Sequence, residues 1–453
     1  MFFDAVIENG ILVDPEAMTS ERKNIGITGG RIAAVSREKL SGKDTFDAAG
    51  QLVAPGFIDI HGHIDGNFYS AELSLRQGIT TTVGGNCGSG PLLMADFFAR
   101  QQSDPLPINQ AELFGMTYSL RAHLGGIEPL MAAGRKEIEK MKELAQTAFA
   151  EGACGLSIGL AYAPGSSDEE IYSLAEIAAK YGRIVSVDTR MRTPLDLYSL
   201  VEVLLLAKNT GARVQISHFV YQYGDGLVEE ALSAIDRARG EGIDVRLDSG
   251  MYTQWATGLQ AVLFDRDYLR ENQWDFSDIL VITGPYKGRR LDPELYDRLR
   301  AAGNPGAHTS VVVFTGVESE IYAALRHPWC MPSTDTGRYL PGEGHPQIAG
   351  SFPRYFRKMV VEKNFLTVEE AVRKATLLPA QTLGLKTKGR LRAGCDADIV
   401  TFDLARMADR AGFLPEKQPD APPEGIGYVF VNGSLALENG QLKNIRAGRP
   451  IIF

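Results

Sequence analysis

The chain has 453 residues, which is up to three units of a typical ~150-residue domain, although α/β barrels exceed that size as single domains. Hydrophobic residues make up 44%, charged residues 23% and the net charge is −9, an ordinary globular balance that argues against a nucleic-acid surface or an anionic membrane face. No apolar run approaches the ~18 residues of a membrane span. "MFFDAVIENG" lacks the basic region of a signal peptide, and the scattered Cys87, Cys154, Cys330 and Cys395 fit a reduced cytoplasm better than a disulfide framework.

The first stretch reads as short strands with turns. "DAVIENGILVD" predicts a hairpin around Asn9-Gly10, and "NIGITGGRIAAVS" another around Gly29-Gly30. The end of the chain is alike: "DADIVTFD" and then "YVFVNGSLALENG", with a turn at Asn432-Gly433. The two ends, 1–55 and 390–453, are expected to form one small β domain.

The middle, 56–389, alternates apolar strands with helical stretches such as "SLAEIAAKYG", which predicts βα units and a parallel sheet. Expected strands are 57–61, 79–85, 111–119, 153–158, 183–188, 213–218, 243–248 and 329–335. Eight is the number a closed (β/α)8 barrel of the TIM type requires. Segment 255–328 is too long for one crossover and reads as an insertion with its own helices over the mouth.

Barrel chemistry sits where the strands end at their C-terminal side. The first strand ends in His61-Gly62-His63, whose imidazoles share one side of an extended backbone. Imidazole is a common zinc ligand, and a catalytic site adds further His or carboxylate ligands. Two satisfied surface histidines are the plain alternative. Cys87 sits in the turn "GGNCGSGP", either as a small buried hydrophobe or as a thiolate ligand. The fifth strand ends in Asp188, the sixth in His218, the seventh in Asp248 and the eighth in Asp335. Asp335 could cap a turn or serve as a metal ligand and proton shuttle; Asp248 reads as structural. His345, on a Gly-rich loop, is held as a residue that supports the site or contacts substrate. His123, His308 and His327 carry no assignment.

With these residues in view, the chain resembles the amidohydrolase superfamily, and within it the N-acyl-D-amino-acid deacylases. The likeness runs through "LVAPGFIDIHGH", "QGITTTVGGNCGSGP", "EGACGLSIGLAYAPGSSDEEI", "VQISHF", "PSTDTG", "HPQIAGSFPR" and "GRLRAGCDADIVTFD". It implies a (β/α)8 barrel with a small β-sandwich domain from both termini. It also implies one or two zinc ions, or another divalent metal, with the turn cysteine replacing the carboxylated lysine of most amidohydrolases. His61, His63 and Asp335 would form one cluster, and Cys87 with His218 a tighter zinc site. The family's histidine at the fifth strand is Asp188 here. That residue would either bind metal or pair with Arg190; as a ligand it would lower Lewis acidity and favour a harder metal. The family's substrate-binding lysine and arginine are replaced by Val220 and Gln347, so either Arg190, Arg192 or Arg338 holds a substrate anion by another route, or the substrate lacks that carboxylate.

The expected function is hydrolysis of a linear amide, an N-acyl (D-)amino acid, by metal-activated water with Asp335 as general base and then acid. The alternatives are a cyclic-amide hydrolase of the hydantoinase or dihydroorotase kind, and a non-catalytic barrel scaffold. The expected partner is a small amide, with no nucleic acid and no membrane; a homo-oligomer is compatible with the sequence.

Overall fold

All eight expected runs become strands of one parallel sheet: Phe57–Asp59, Ile79–Gly84, Asn109–Gly115, Gly155–Gly159, Ile184–Asp188, Arg213–Ile216, Val245–Ser249 and Cys330–Pro332. The computed structural model describes residues 1–190, 197–224, 226–302 and 309–453. The strands pair in chain order. First and last meet at a parallel bridge between Gly62 and Thr336. There His63 N donates to the Thr336 carbonyl at 2.7 Å and Asp335 N to the His61 carbonyl at 2.8 Å. The seam that closes the (β/α)8 barrel is therefore built from the segments that carry candidate ligands.

The strands are buried because a parallel sheet has helices outside and packed side chains inside. Helix Asp168–Lys180 shows the local logic. The Ser167 hydroxyl accepts from Glu170 N, Asp168, Glu169 and Glu170 crowd the positive end, and Ile171, Leu174, Ala175 and Ala178 face the sheet. The third strand starts earlier than expected and stops at Gly115; Met116–Leu120 is a π-helical turn. Thr117 bends the chain there, its hydroxyl bonding both N and O of Gly159.

The two chain ends build one sheet, joined where Ile399–Phe402 pairs antiparallel with Leu52–Pro55. Its core includes Ile7, Leu12, Ile25, Ile27, Val53, Ile399 and Phe430. Gly29-Gly30 and Asn432-Gly433 are two-residue turns with positive φ, as expected. Asn9-Gly10 is different: it is a bulge inside one long strand, Phe2–Asp14. The sequence signal for a turn was the tolerance of Asn for positive φ, and the bulge uses the same property at φ +61°. The strand runs on because both of its halves find parallel partners, Ser41–Asp47 and then Leu52–Pro55.

Segment 255–328 carries helices and a three-stranded antiparallel sheet of Trp255–Gly258, Ile279–Val281 and Ser310–Val313. Leu259, Phe264, Val281, Leu295, Val311 and Val313 form its own core. Helix Glu318–Arg326 packs on Val228–Gly240 and on the eighth strand, within the barrel's helical layer. Among the described residues no helix is long and apolar enough to cross a membrane.

Candidate metal centre and active site

Cys87, His218 and Asp335 all hold positive φ, +53°, +34° and +49°. Histidine and cysteine seldom adopt this region, and such strain persists only where the surroundings impose it. The surroundings here are specific. Asn86 anchors the cysteine turn by donating to the Val83 and Gly62 carbonyls and accepting from Ser186. Gly88 N donates to Ser157. Gly115 and Gly159 leave room beneath: a Cβ would come within 1.8 Å of the Ser89 carbonyl oxygen at Gly115, and within 2.3 Å of that of Cys87 at Gly159.

The result is convergence. His61 Nε2 lies 3.3 Å from His63 Nε2, 3.4 Å from Cys87 Sγ and 3.4 Å from Asp335 Oδ1. His63 Nε2 is 3.2 Å from the same Asp335 oxygen. On the other side of the sulfur, His218 Nε2 lies 3.5 Å from Cys87 Sγ and 3.7 Å from Asp188 Oδ2. Two groups have the spacing of metal ligands, His61–His63–Cys87 and Cys87–Asp188–His218, sharing the cysteine. Asp248 accepts from His61 Nδ1, which turns the Nε2 lone pair toward the cluster. Gln215 and Ser333 donate to Asp248 in turn.

The electrostatics show what the cluster demands. Burial alone would raise Cys87, yet His61 and His218 hold its thiol well below the ordinary value. Burial would lower the imidazoles, yet Asp335 and Cys87 carry His63 up to about 10, and Asp188 and Cys87 carry His218 up to about 9. Burial raises Asp188 to about 8, against the pull of His218. Asp335 stays well below the carboxylate range because His61 and His63 outweigh its burial. The protons that these groups hold occupy the place a cation would take, and nitrogen, sulfur and oxygen donors of this set suit zinc. The residues fit the metal that the sequence implied.

Above the cluster opens a cavity of about 750 Å³, lined by His63, Cys87, Asp188, His218 and Asp335 on one side. Tyr118, Tyr162, Tyr221, Trp255, Leu263 and Tyr339 line it as well. The inserted sheet thus supplies part of the wall.

Two expected substrate contacts lie elsewhere. Arg190 is buried, its guanidinium donating to Glu202 and to the Pro164 and Ser166 carbonyls, and it does not line the cavity. His345 is fully buried, with Nε2 donating to the Gln254 carbonyl and Nδ1 accepting from Gln347 N. It supports the site through its neighbour: Gln347 Nε2 donates to the Asp335 carbonyl. Val220 packs in the main core. Arg192 and His308 lie outside the described residues. Sequence reasoning missed Gln222, Asn86, Gly115 and Gly159. Only the strand-end glycines carried a visible signal, and their clash partners are far away in the chain.

The comparisons agree with this geometry. Amidohydrolase family models match residues 44–105 and 310–436. An N-acyl-D-glutamate deacylase of Alcaligenes xylosoxydans xylosoxydans is 33% identical, covering 95% of this chain and 93% of its own. The chain belongs to the amidohydrolase family. A D-aminoacylase from the same organism is 29% identical over 99% of this chain and 97% of its own. Among solved structures, an N-acyl-D-glutamate deacylase of Bordetella bronchiseptica, complexed with zinc and a phosphonate mimic of the tetrahedral intermediate, superposes with a TM-score of 0.87 at 29% identity, covering 100% of both chains. A D-aminoacylase whose binuclear metal centre has been studied gives 0.87 at 27%, again over 100% of both chains. Similar amidohydrolases thus include deacylases acting on amide C–N bonds other than peptide bonds. Hydantoinases and a dihydropyrimidinase match at 16–20% identity and share the fold.

Proposed function

We propose that this amidohydrolase is a zinc-dependent deacylase of N-acyl amino acids, with the D hand favoured by its relatives. The observation that carries the reading is the meeting of His61, His63, Cys87, His218, Asp188 and Asp335 at the base of one cavity. These six residues would hold the metal. When bound, zinc polarises the scissile carbonyl and makes water a better nucleophile near neutral pH.

The chain's own groups do the rest. Asp335, held ionised by its histidines, accepts a proton from the attacking water as the new C–O bond forms. It returns that proton to the amine nitrogen as the C–N bond breaks, acting as base and then acid. Asp248 keeps the His61 ring turned. The aromatic wall and the inserted sheet limit bulk water around the reacting amide. Arg338 is the one lysine or arginine among the described residues that line the cavity, and it supports binding of the substrate carboxylate. All four cysteines are free and buried, which supports a reducing, cytoplasmic setting.

Replacing Asp335 by Asn tests the mechanism. Metal analysis should still find zinc, while turnover of an N-acyl-D-amino acid falls by about 10²–10⁴-fold; near-normal rates would overturn it. A screen of N-acyl amino acids of both hands against hydantoins, with zinc and with manganese, should show cleavage of the linear amides.

A further inference from the structure

We propose that Gln222 is a positioning residue that fixes Asp188 so that a single carboxylate oxygen faces the metal, an inference resting on the zinc-dependent reading above. Gln222 lies four residues after His218, on the short helix Phe219–Tyr223, so one turn brings both toward the same mouth.

The hydrogen bonds assign its amide without ambiguity. Thr189 N donates to Gln222 Oε1 at 3.0 Å, and the Thr189 hydroxyl donates to the same oxygen. That hydroxyl accepts from Tyr223 at 3.0 Å. Tyr223 has then spent its proton, so Ser199 donates to it, at 3.2 Å. Every hydroxyl in the chain Ser199–Tyr223–Thr189 donates toward Gln222. Both lone pairs of Oε1 are filled, and a flipped amide would set an NH2 against an N–H donor. Nε2 must therefore face Asp188, and it donates to Oδ1. That leaves Oδ2 pointing at His218 Nε2, in the Cys87–Asp188–His218 group.

An unrestrained carboxylate can rotate to offer both oxygens or neither. Here one oxygen is committed to an amide that is itself held from the protein interior. Loss of a supporting group of this kind typically costs about 10–100-fold in metal affinity.

Zinc affinity, read by competition with a chromophoric chelator, tests this on D188N, Q222L, Q222E and D188N/Q222L. Gln222→Glu is nearly isosteric and still accepts from Thr189, but in place of the donation it sets a second carboxylate against Asp188. D188N, Q222L and Q222E should each bind zinc about 10–100-fold more weakly than the parent, and the double variant no more weakly than D188N. In cobalt-loaded Q222L the visible d–d bands should shift while the Cys87 charge-transfer band persists. Parental affinity in both Gln222 variants, or losses that multiply in the double variant, would overturn the proposal. Parental affinity in D188N would overturn it too and leave the deacylase reading standing on Cys87 and the histidines. No zinc binding by the parent would remove both.

Discussion

Asp248 and His345 show how two buried side chains of similar appeal divide into different tasks. Asp248 accepts from His61, Gln215 and Ser333, so its carboxylate sets a ligand's ring. Asp248→Asn presents an amide to Nδ1 and frees the ring to turn; we expect about a 10–100-fold loss of zinc affinity, read by chelator competition. His345 has the opposite character. Burial pushes it down to about 3 despite the pull of Asp335. A depressed value means that the unfolded chain binds the extra proton. The stability it supports is complete above about pH 6.5 and is lost as pH falls toward 3. In His345→Gln, urea unfolding across that window should show a pH slope shallower by up to about 1.4 kcal/mol per pH unit. The residue types were legible as chemistry in the sequence, but their partners were not. Arg190 looked free for an anion because Glu202 and two loop carbonyls met it only on folding.

At the scale of elements, the turn carrying Cys87 depends on two strands whose last residues leave it space. Gly115 ends the third strand and Gly159 the fourth. A methyl at Gly115 would strike the Ser89 carbonyl, which is backbone and has nowhere to go. Gly115→Ala should displace the turn, so that the protein folds with the barrel's circular-dichroism spectrum but binds zinc weakly. The inserted sheet makes a second case. Trp255 packs with Phe264 and Trp274 and also lines the cavity. Trp255→Ala should cost about 3–5 kcal/mol within that small core, seen as early proteolysis between residues 255 and 313 and as a raised KM. The sequence marked an insertion by length alone. Its antiparallel sheet was not legible, because three- and four-residue strands carry too little pattern to separate from loops.

Across the whole molecule, the barrel and the terminal sheet are tied at a buried charge. Asp398 accepts from Lys388, from Asn109 of the third barrel strand and from Asn432 N of the terminal sheet. Its carbonyl accepts from Gly56 N, at the entry to the barrel. Removing one member leaves an uncompensated buried charge, so Lys388→Met should lower stability by about 3–5 kcal/mol, measured by thermal unfolding at saturating zinc. Kinetics of the folded fraction should stay near the parent's, since the tie is remote from the cavity lining. The two-ended sheet was readable because its strands share turn chemistry; the charge that joins it to the barrel was not.

The sequence by itself determined the eight strands, the type of fold and six ligand-type residues at strand ends, because hydrophobic period and side-chain chemistry are local properties. Tertiary structure alone decided which donors meet, which oxygen of Asp188 is left open, and which of the arginines stays in the cavity. Those outcomes depend on distances between residues far apart in the chain, and only closure of the barrel at Gly62 and Thr336 sets them.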